Sequence, residues 1–375
     1  MAAIGDSLGR RPLLICGPLA TSAAMVGTGF SSTLSELLGW RFITGAAGAA
    51  QMTGAQLYLS DISTSANRAR TMAPMLAAWS AGVTVGPAAG GILAEHIGLG
   101  PTFMCVGAAV AAVAVNNLRL PETRSPDLTE QVEPRRGRAV LSQIRTAKKQ
   151  WKELLSMKDV RAAVYMHMAY WFCTSGAQFT ILPLLATDNF NMSPGSVGTM
   201  FAVMAAINII GSQPAAYLSD KFGRKKAMIP GALTVGIALG LIPFATEYYE
   251  LMSLVSLWGL GACIWGTTPS AYIVDITTNE NRSQALAMLR SAGDLGLMLG
   301  AGLTGFLSDM VGMNFAMGLN CSLLVLAASV FGVKANEPNI LLQIREEEKA
   351  AKAAAAAQSA FKESRKKEGE QPPTE

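Results

Sequence analysis

Ten apolar stretches follow one another through this chain, at 13–30, 37–59, 71–94, 101–118, 162–187, 195–217, 227–246, 251–274, 284–307 and 314–333. Each is roughly 20 residues long, the length of helix that crosses the hydrocarbon core of a bilayer. Inside that core the backbone must satisfy its own hydrogen bonds, and Gly, Pro, Ser and Thr within such helices are tolerated because neighbouring helices re-satisfy it. The expected class is therefore all-α, a polytopic, multi-pass membrane protein with about ten complete transmembrane helices. Half of the residues are apolar and only 15% are charged, too few to keep a soluble surface. Asp6, Arg10 and Arg11 stand where the apolar core of a removable signal peptide would be needed. The five cysteines, at 16, 105, 173, 263 and 321, all fall inside apolar stretches without metal or disulfide spacing, and read as small core residues.

Of the 30 basic residues, 28 lie in alternate connections: 6–12, 60–70, 119–161, 218–226, 275–283 and the tail from 334. The intervening connections carry Glu36, Glu95, Asp188, Glu247, Glu250 and Asp309 and no Lys or Arg. Positive charge stays on the cytoplasmic side, so the 119–161 connection and the C-terminus are expected in the cytoplasm. Which membrane holds the chain is not written in the sequence. The two remaining cations, Arg41 and Arg290, lie inside apolar stretches.

The chain is also duplicated. AAIGDSLGRRP from Ala2 and AYLSDKFGRKK from Ala216 align without a gap at an offset of 214 residues, matching Asp6, Gly9, Arg10 and Arg11 to Asp220, Gly223, Arg224 and Lys225. At the same offset Tyr58, Asp61 and Arg68 match Tyr272, Asp275 and Arg282, while Gly82, Gly86 and Gly91 match Gly296, Gly300 and Gly305. Small residues every fourth position, Ala78, Gly82, Gly86, Gly90 and Ala94 in one repeat, let another helix approach closely in lipid. Pro87 removes a backbone donor there and bends its helix.

Ionisable residues at membrane depth are costly and mark functional candidates. Arg41, His167, Arg290 and Asp294 are the substrate or proton-pathway candidates. Arg290 and Asp294 stand at i, i+4, where they can pair, and such a pair can equally be structural. His167 is either a proton relay or an ordinary satisfied polar residue. Asn208, Gln213, Trp265 and Thr268 are weaker cavity-lining candidates.

These residues resemble the major facilitator superfamily. Its loop signature D-x-x-G-R-[RK] is matched by Asp6-Gly9-Arg10-Arg11 and Asp220-Gly223-Arg224-Lys225, with Ala2 and Ala216 replacing the glycine that usually opens it. Arg41, Gly45 and Ala49 resemble the helix-4 pattern, and Gly82, Gly86, Pro87, Gly90 and Gly91 match the helix-5 antiporter pattern G-x-x-x-G-P-x-x-G-G. The L-P-E-T run at 120–123 is also similar to the family's close of helix 6. The resemblance implies two pseudo-symmetric bundles: a truncated N-terminal bundle at 1–118, a linker at 119–161, a six-helix bundle at 162–334 and a cytoplasmic tail at 335–375. It further implies that the first helix and most of the second are missing, and that Arg41 faces the cavity which that helix would line.

Asp6 and Asp220 are read as gate latches, each carboxylate set against the positive N-terminal end of a helix in the other bundle. Asp6 is matched to the helix start near 284, Asp220 to that near 71. Both contacts belong to the cytoplasm-closed state of an alternating-access cycle; the plainer reading is a turn residue. Asp61 with Arg68, and Asp275 with Arg282, either extend that network or cap solvated helix ends. In the linker, Val140, Leu141, Ile144, Ala147, Trp151, Leu154 and Leu155 recur at helical spacing and suit a helix lying on the cytoplasmic leaflet. The tail from 337 favours helix and then becomes charged and disordered.

The functional expectation is a secondary active transporter moving a small organic solute by proton-coupled export. Uptake by symport or uniport is the alternative, and the missing helices add a third, a non-transporting membrane protein of the same fold. No P-loop, nucleophile elbow or zinc spacing is present, so no enzyme activity, cofactor or metal is expected. The expected partners are the solute, protons and the lipid bilayer around a monomer. The net charge of +4 reflects topology and implies no nucleic acid.

Overall fold

The structure is a computed structural model, and it describes residues 9–63, 67–123, 149–266, 268–278 and 281–338. Asp6, most of the linker pattern and the tail lie outside these residues. The chain is all-helical over the described residues, in ten passages and a short helix over 149–156 that precedes the fifth. The first four are α1 (Arg10–Phe30), α2 (Leu34–Asp61), α3 (Arg68–Ile97) and α4 (Leu99–Asn117). The fifth joins α5 (Lys158–Cys173), a π-helical stretch Thr174–Ile181, and α6 (Leu182–Phe190). Then come α7 (Pro194–Phe222) and α8 (Arg224–Leu241), the latter extended by a 3-10 turn Ile242–Phe244. The eighth passage is broken: α9 (Tyr248–Ala262), a 3-10 turn Cys263–Trp265, and α10 (Thr268–Ile276). Finally α11 (Arg282–Val311) and α12 (Met313–Lys334) close the described chain. Seven of these passages carry an apolar helix long enough to cross a membrane.

The duplication is written into the backbone. Helices α1, α3 and α4 start at Arg10, Arg68 and Leu99; α8, α11 and α12 start at Arg224, Arg282 and Met313, each 214 residues later. Four glycines with positive φ punctuate them in the same register: Gly9 (95°) with Gly223 (106°), and Gly98 (86°) with Gly312 (91°). At such φ only glycine sits without strain.

Contacts divide the chain into two units, Met1–Ile144 with Pro183–Ala206, and Arg145–Leu182 with Ile207–Glu375. In the first unit α1 packs against both α2 and α4 through small residues. A methyl group at Gly54 would come within 2.9 Å of Leu13 Cβ, and one at Gly107 within 2.8 Å of Val26 Cγ2. Ser22 Oγ donates to the Gly107 carbonyl at 2.7 Å. In the second unit α8 holds α9 and α12 in the same way, Gly231 and Gly261 lying against each other's carbonyl oxygens. Close backbone approach of this kind is how helices associate where no hydrophobic drive separates them from lipid.

One repeated device fixes helix starts. Glu36 Oε2 accepts from Ser32 N at 3.0 Å, while Thr33 Oγ1 accepts from Glu36 N at 3.3 Å. At the equivalent place Glu250 Oε2 accepts from Thr246 N and Glu247 N, completing a capping box on α9. The backbone N–H of Ser32, with Thr33, holds the Glu36 carboxyl below its ordinary range; Thr246, with Glu247, does so for Glu250. A depressed folded value means that the contribution is complete above the ordinary carboxylate range and disappears as pH falls through the lowered value. Hydrogen exchange at the first turns of α2 and α9 should therefore speed up on acidification below about pH 4. The acceleration should be absent in Glu36→Gln and Glu250→Gln, and an equal acceleration in those variants would show that the caps play no part.

Candidate functional site: helix-end charge clusters and membrane-depth polar residues

The helix that follows each D-x-x-G-R-[RK] loop begins at a positive-φ glycine, and its first N–H groups need acceptors. In the first unit that acceptor is Glu122, just beyond α4: Oε1 takes Arg10 N at 2.9 Å and Oε2 takes Arg11 N at 3.0 Å. The Arg10 side chain turns to Asp61, at the end of α2, with Nε 2.8 Å from Oδ2. Thr123 Oγ1 donates to the same oxygen at 3.1 Å. The Arg11 guanidinium donates to the Leu118 carbonyl at 2.7 Å.

The second unit repeats the arrangement. Glu337, just beyond α12, accepts Lys225 N at 3.3 Å, and Arg224 Nε lies 3.1 Å from Asp275 Oδ2 near the end of α10. Arg224 also pairs with the exposed Asp220 one turn earlier. A carboxylate at a helix N-terminus is favoured by the dipole and the free N–H groups together. A methyl group at Gly9 or Gly223 would come within 2.6 Å of a Glu122 or Glu337 oxygen; the flexible glutamate end can swing aside from it, so it is the positive φ that requires glycine there. Gly223→Ala should cost about 1–3 kcal/mol, and Glu337→Gln, which keeps the shape but not the charge, about 0.3–1 kcal/mol. Thermal unfolding of the purified variants checks both, and Gly223→Ala melting like the parent would remove the argument for the glycine.

Sequence reading named both arginines and both aspartates and set Asp61 with Arg68 and Asp275 with Arg282; the Arg68 side chain lies outside what the structure describes. In the structure Asp61 and Asp275 face Arg10 and Arg224, 51 residues away in each repeat. Arg68 and Arg282 open α3 and α11. Glu122 and Glu337 escaped notice as site residues. The signal was available: each is a carboxylate beside a proline at the close of the last apolar stretch of its repeat.

The glycine stripes differ between repeats. Gly296 and Gly300 meet the carbonyl oxygens of Met168 and Phe172, so α11 crosses α5 backbone to backbone. In α3, a methyl group at Gly82, Gly86 or Gly90 would meet nothing within 4 Å among the described residues. Gly91 instead meets the Pro194 carbonyl and Gly198 of α7, and Gly198 meets the Pro87 carbonyl, all within the first unit.

At membrane depth, Arg41 lies over the Phe103 ring, 5.3 Å from its centroid. His167 accepts from Trp171 Nε1 at 3.1 Å and faces Trp265, which stacks on Tyr170 at 4.3 Å. Arg290 and Asp294 are both exposed on α11, and no ion pair joins them among the described residues. Asn208 is half-buried and Gln213 exposed, whereas Trp265 and Thr268 are buried at the break between α9 and α10. Asp294 is the single Asp or Glu within the ten apolar stretches. The repeat offset puts Val255 opposite Arg41, Leu76 opposite Arg290 and Ser80 opposite Asp294, so the shared fold demands none of these charges.

A sequence profile of the Major Facilitator Superfamily matches residues 1–181 and again 168–368. The chain is similar to an uncharacterized MFS-type transporter of Methanocaldococcus jannaschii, with 22% identity over 312 residues, 83% of this chain and 78% of that protein. It is also similar to the class C tetracycline resistance protein of Escherichia coli, 26% identical over 277 residues, which cover 70% of this chain and 64% of that protein, just under two thirds. Among solved structures, the human organic anion transporter TETRAN aligns with a TM-score of 0.58 at 20% identity, over 88% of this chain and 79% of its own. At that identity the likeness is one of fold.

Proposed function

The chain belongs to the Major Facilitator Superfamily, whose members carry small molecules across membranes, and from that premise we propose that it exports a small organic solute in exchange for protons by alternating access. The observation that carries the coupling is Asp294. It is exposed at membrane depth, has no ion-pair partner among the described residues, and stands where the other repeat has Ser80. A carboxylate kept in lipid at such cost, with no structural demand for it, is a proton carrier. Arg290, one turn earlier on the same face, is within reach of a rotamer change when the carboxylate is charged.

Export is supported by the antiporter-type pattern through Gly82, Gly86, Pro87, Gly90 and Gly91, and by the tetracycline resistance relative. In this reading the clusters around Arg10 and Arg224 clamp the cytoplasmic helix ends, with Asp6 and Asp220 as latches. The linker and C-terminus lie in the cytoplasm, and the transporting form is a monomer.

The test uses the full chain in proteoliposomes with tetracycline as probe. Antiport requires that an acidic lumen drives tetracycline inward as protons leave. A one-unit gradient is equivalent to about 1.4 kcal/mol, so one-for-one exchange should give about tenfold accumulation. Accumulation under an acidic exterior instead would establish symport, and movement indifferent to pH would remove the coupling.

A further inference from the structure

The turns from α1 to α2 and from α8 to α9 are equivalent at the 214-residue offset, and both keep an aromatic residue and a capping acid: Phe30 with Glu36, and Phe244 with Glu250. Their packing differs. In the first turn Trp40 lies on Gly27, so closely that a methyl group there would run into the indole ring. In the second turn those two positions are Leu241 and Leu254, and they border an open cleft of about 480 Å³. Phe244, Tyr249, Glu250 and Ser253 line the rest of it. The second turn has also gained aromatic surface. Tyr248 and Tyr249, edge to face at 5.6 Å, stand where the first repeat has Leu34 and Ser35. The shared fold demands neither the cleft nor the tyrosines.

Helix α8 and its 3-10 extension run for 21 residues from Arg224 to Phe244, about 30 Å at the helical rise. That is the thickness of the hydrocarbon core, so the basic start of α8 and the cleft lie at opposite headgroup layers. Aromatic residues at such a level are ordinary anchors, but here Phe244 and Tyr249 are 78% and 80% exposed beside a fixed anion. Glu250 Oε2 takes the Thr246 N–H, the Thr246 hydroxyl and the Glu247 N–H. These bonds, the Thr246 N–H first, hold its carboxyl below the ordinary range, and it is charged at neutral pH. Ser253 gives its hydroxyl proton to the Tyr249 carbonyl at 2.7 Å, and no Lys or Arg occurs from 227 to 281. The cleft therefore offers negative charge and ring faces, and no cation for an anionic ligand. A quaternary ammonium suits it, having no N–H to satisfy and binding aromatic faces through its charge. Ile237 and Leu241, both exposed and one turn apart on α8, continue the apolar surface from the cleft toward the bilayer centre.

We propose that the cleft at the α8–α9 turn binds a choline phospholipid, its quaternary ammonium against the Phe244 and Tyr249 rings beside Glu250, and an acyl chain along Leu241 and Ile237. The site lies wholly within the second unit. It is independent of the transport reading, since it is a lipid contact made by one repeat alone.

The experiment is a native mass-spectrometric titration of the detergent-solubilised full chain with dioleoyl phosphatidylcholine, and with the phosphatidylethanolamine and phosphatidylglycerol of the same acyl chains. Phosphatidylcholine should be retained at a lower concentration than either. Tyr249→Ser, which installs the first repeat's residue, should weaken that binding about 3- to 30-fold, the range of a cation–π contact from exposed to desolvated. Tyr249→Phe keeps the ring and should bind as the parent does. Glu250→Gln removes the charge and should also weaken phosphatidylcholine binding. Glu36→Gln, which removes the equivalent cap from the first repeat, should leave it unchanged, and this separates the cleft from a general loosening of helix starts. Because Tyr249 is exposed, its variants should melt with the parent. Phosphatidylethanolamine or phosphatidylglycerol retained as well as phosphatidylcholine would overturn the site. So would unchanged phosphatidylcholine binding in Tyr249→Ser or Glu250→Gln, or a loss in Tyr249→Phe, which would assign the contact to the hydroxyl.

Discussion

Proteoliposomes carrying Asp294→Asn should accumulate no tetracycline against a gradient, whatever pH difference is imposed. Asparagine keeps the size and hydrogen-bonding shape of the side chain and cannot exchange a proton. The parent protein should hold about a tenfold concentration ratio per pH unit and the variant a ratio of about one. Because Asp294 is exposed on α11 and bonded to nothing described, the variant should fold and insert normally. It should also still equilibrate solute down its own gradient, since the rocking motion needs no proton to be present. Normal pH-driven accumulation in Asp294→Asn would remove the carboxylate from the cycle.

The second large effect concerns packing. Gly296→Ala would drive a methyl group into the carbonyl oxygen of Met168. Backbone cannot swing aside as a side chain can, and overpacking of this kind costs about 1–3 kcal/mol. Gly296→Ala combined with Gly300→Ala, which meets the Phe172 carbonyl, should prevent α11 from seating on α5. Gly82→Ala, at the equivalent position of the first repeat, should be neutral or stabilising by up to about 1 kcal/mol, because nothing among the described residues lies within 4 Å of its new methyl. Thermal denaturation of the purified proteins gives the contrast directly. Equal effects at Gly82 and Gly296 would mean that the α5–α11 crossing is not as tight as the structure draws it.

The apolar stretches and the 214-residue offset were legible because lipid leaves so few choices: length gives helices, and gapless repetition gives their register. The helix starts at Arg10 and Arg224, and at Arg68 and Arg282, follow the offset residue for residue. The charge clusters were legible in membership but not in pairing. Asp275 is seven residues from Arg282 in sequence, yet its partner is Arg224, because adjacency along a chain says little about which side chains meet once helices stand side by side. Glu122 and Glu337 bond to backbone N–H groups of a distant helix, so no side-chain pairing marked them, and their one signal was the proline beside each at the close of its repeat. The breaks at Thr174–Ile181 and Cys263–Trp265 lie inside stretches read as continuous. Pro269 hinted at the second; the first has no residue signature at all. Arg290 and Asp294, spaced to pair, stay apart, and i, i+4 spacing alone adds only a few tenths of a kcal/mol.

The π-helical stretch has a consequence of its own. Its hydrogen bonds reach five residues back, as the Thr180 hydroxyl does in donating to the Ser175 carbonyl at 3.0 Å, so this passage contains one residue more than an α-helix of the same rise would hold. While both ends of the helix are held, that surplus residue is a defect that can travel but not vanish. Passing it one turn toward α5 would rotate the residues it crosses by about 100°. Tyr170 and Trp171, immediately below the stretch, are the side chains that such a migration would swing first. Such a migration would change the faces this helix presents in discrete steps, one residue at a time.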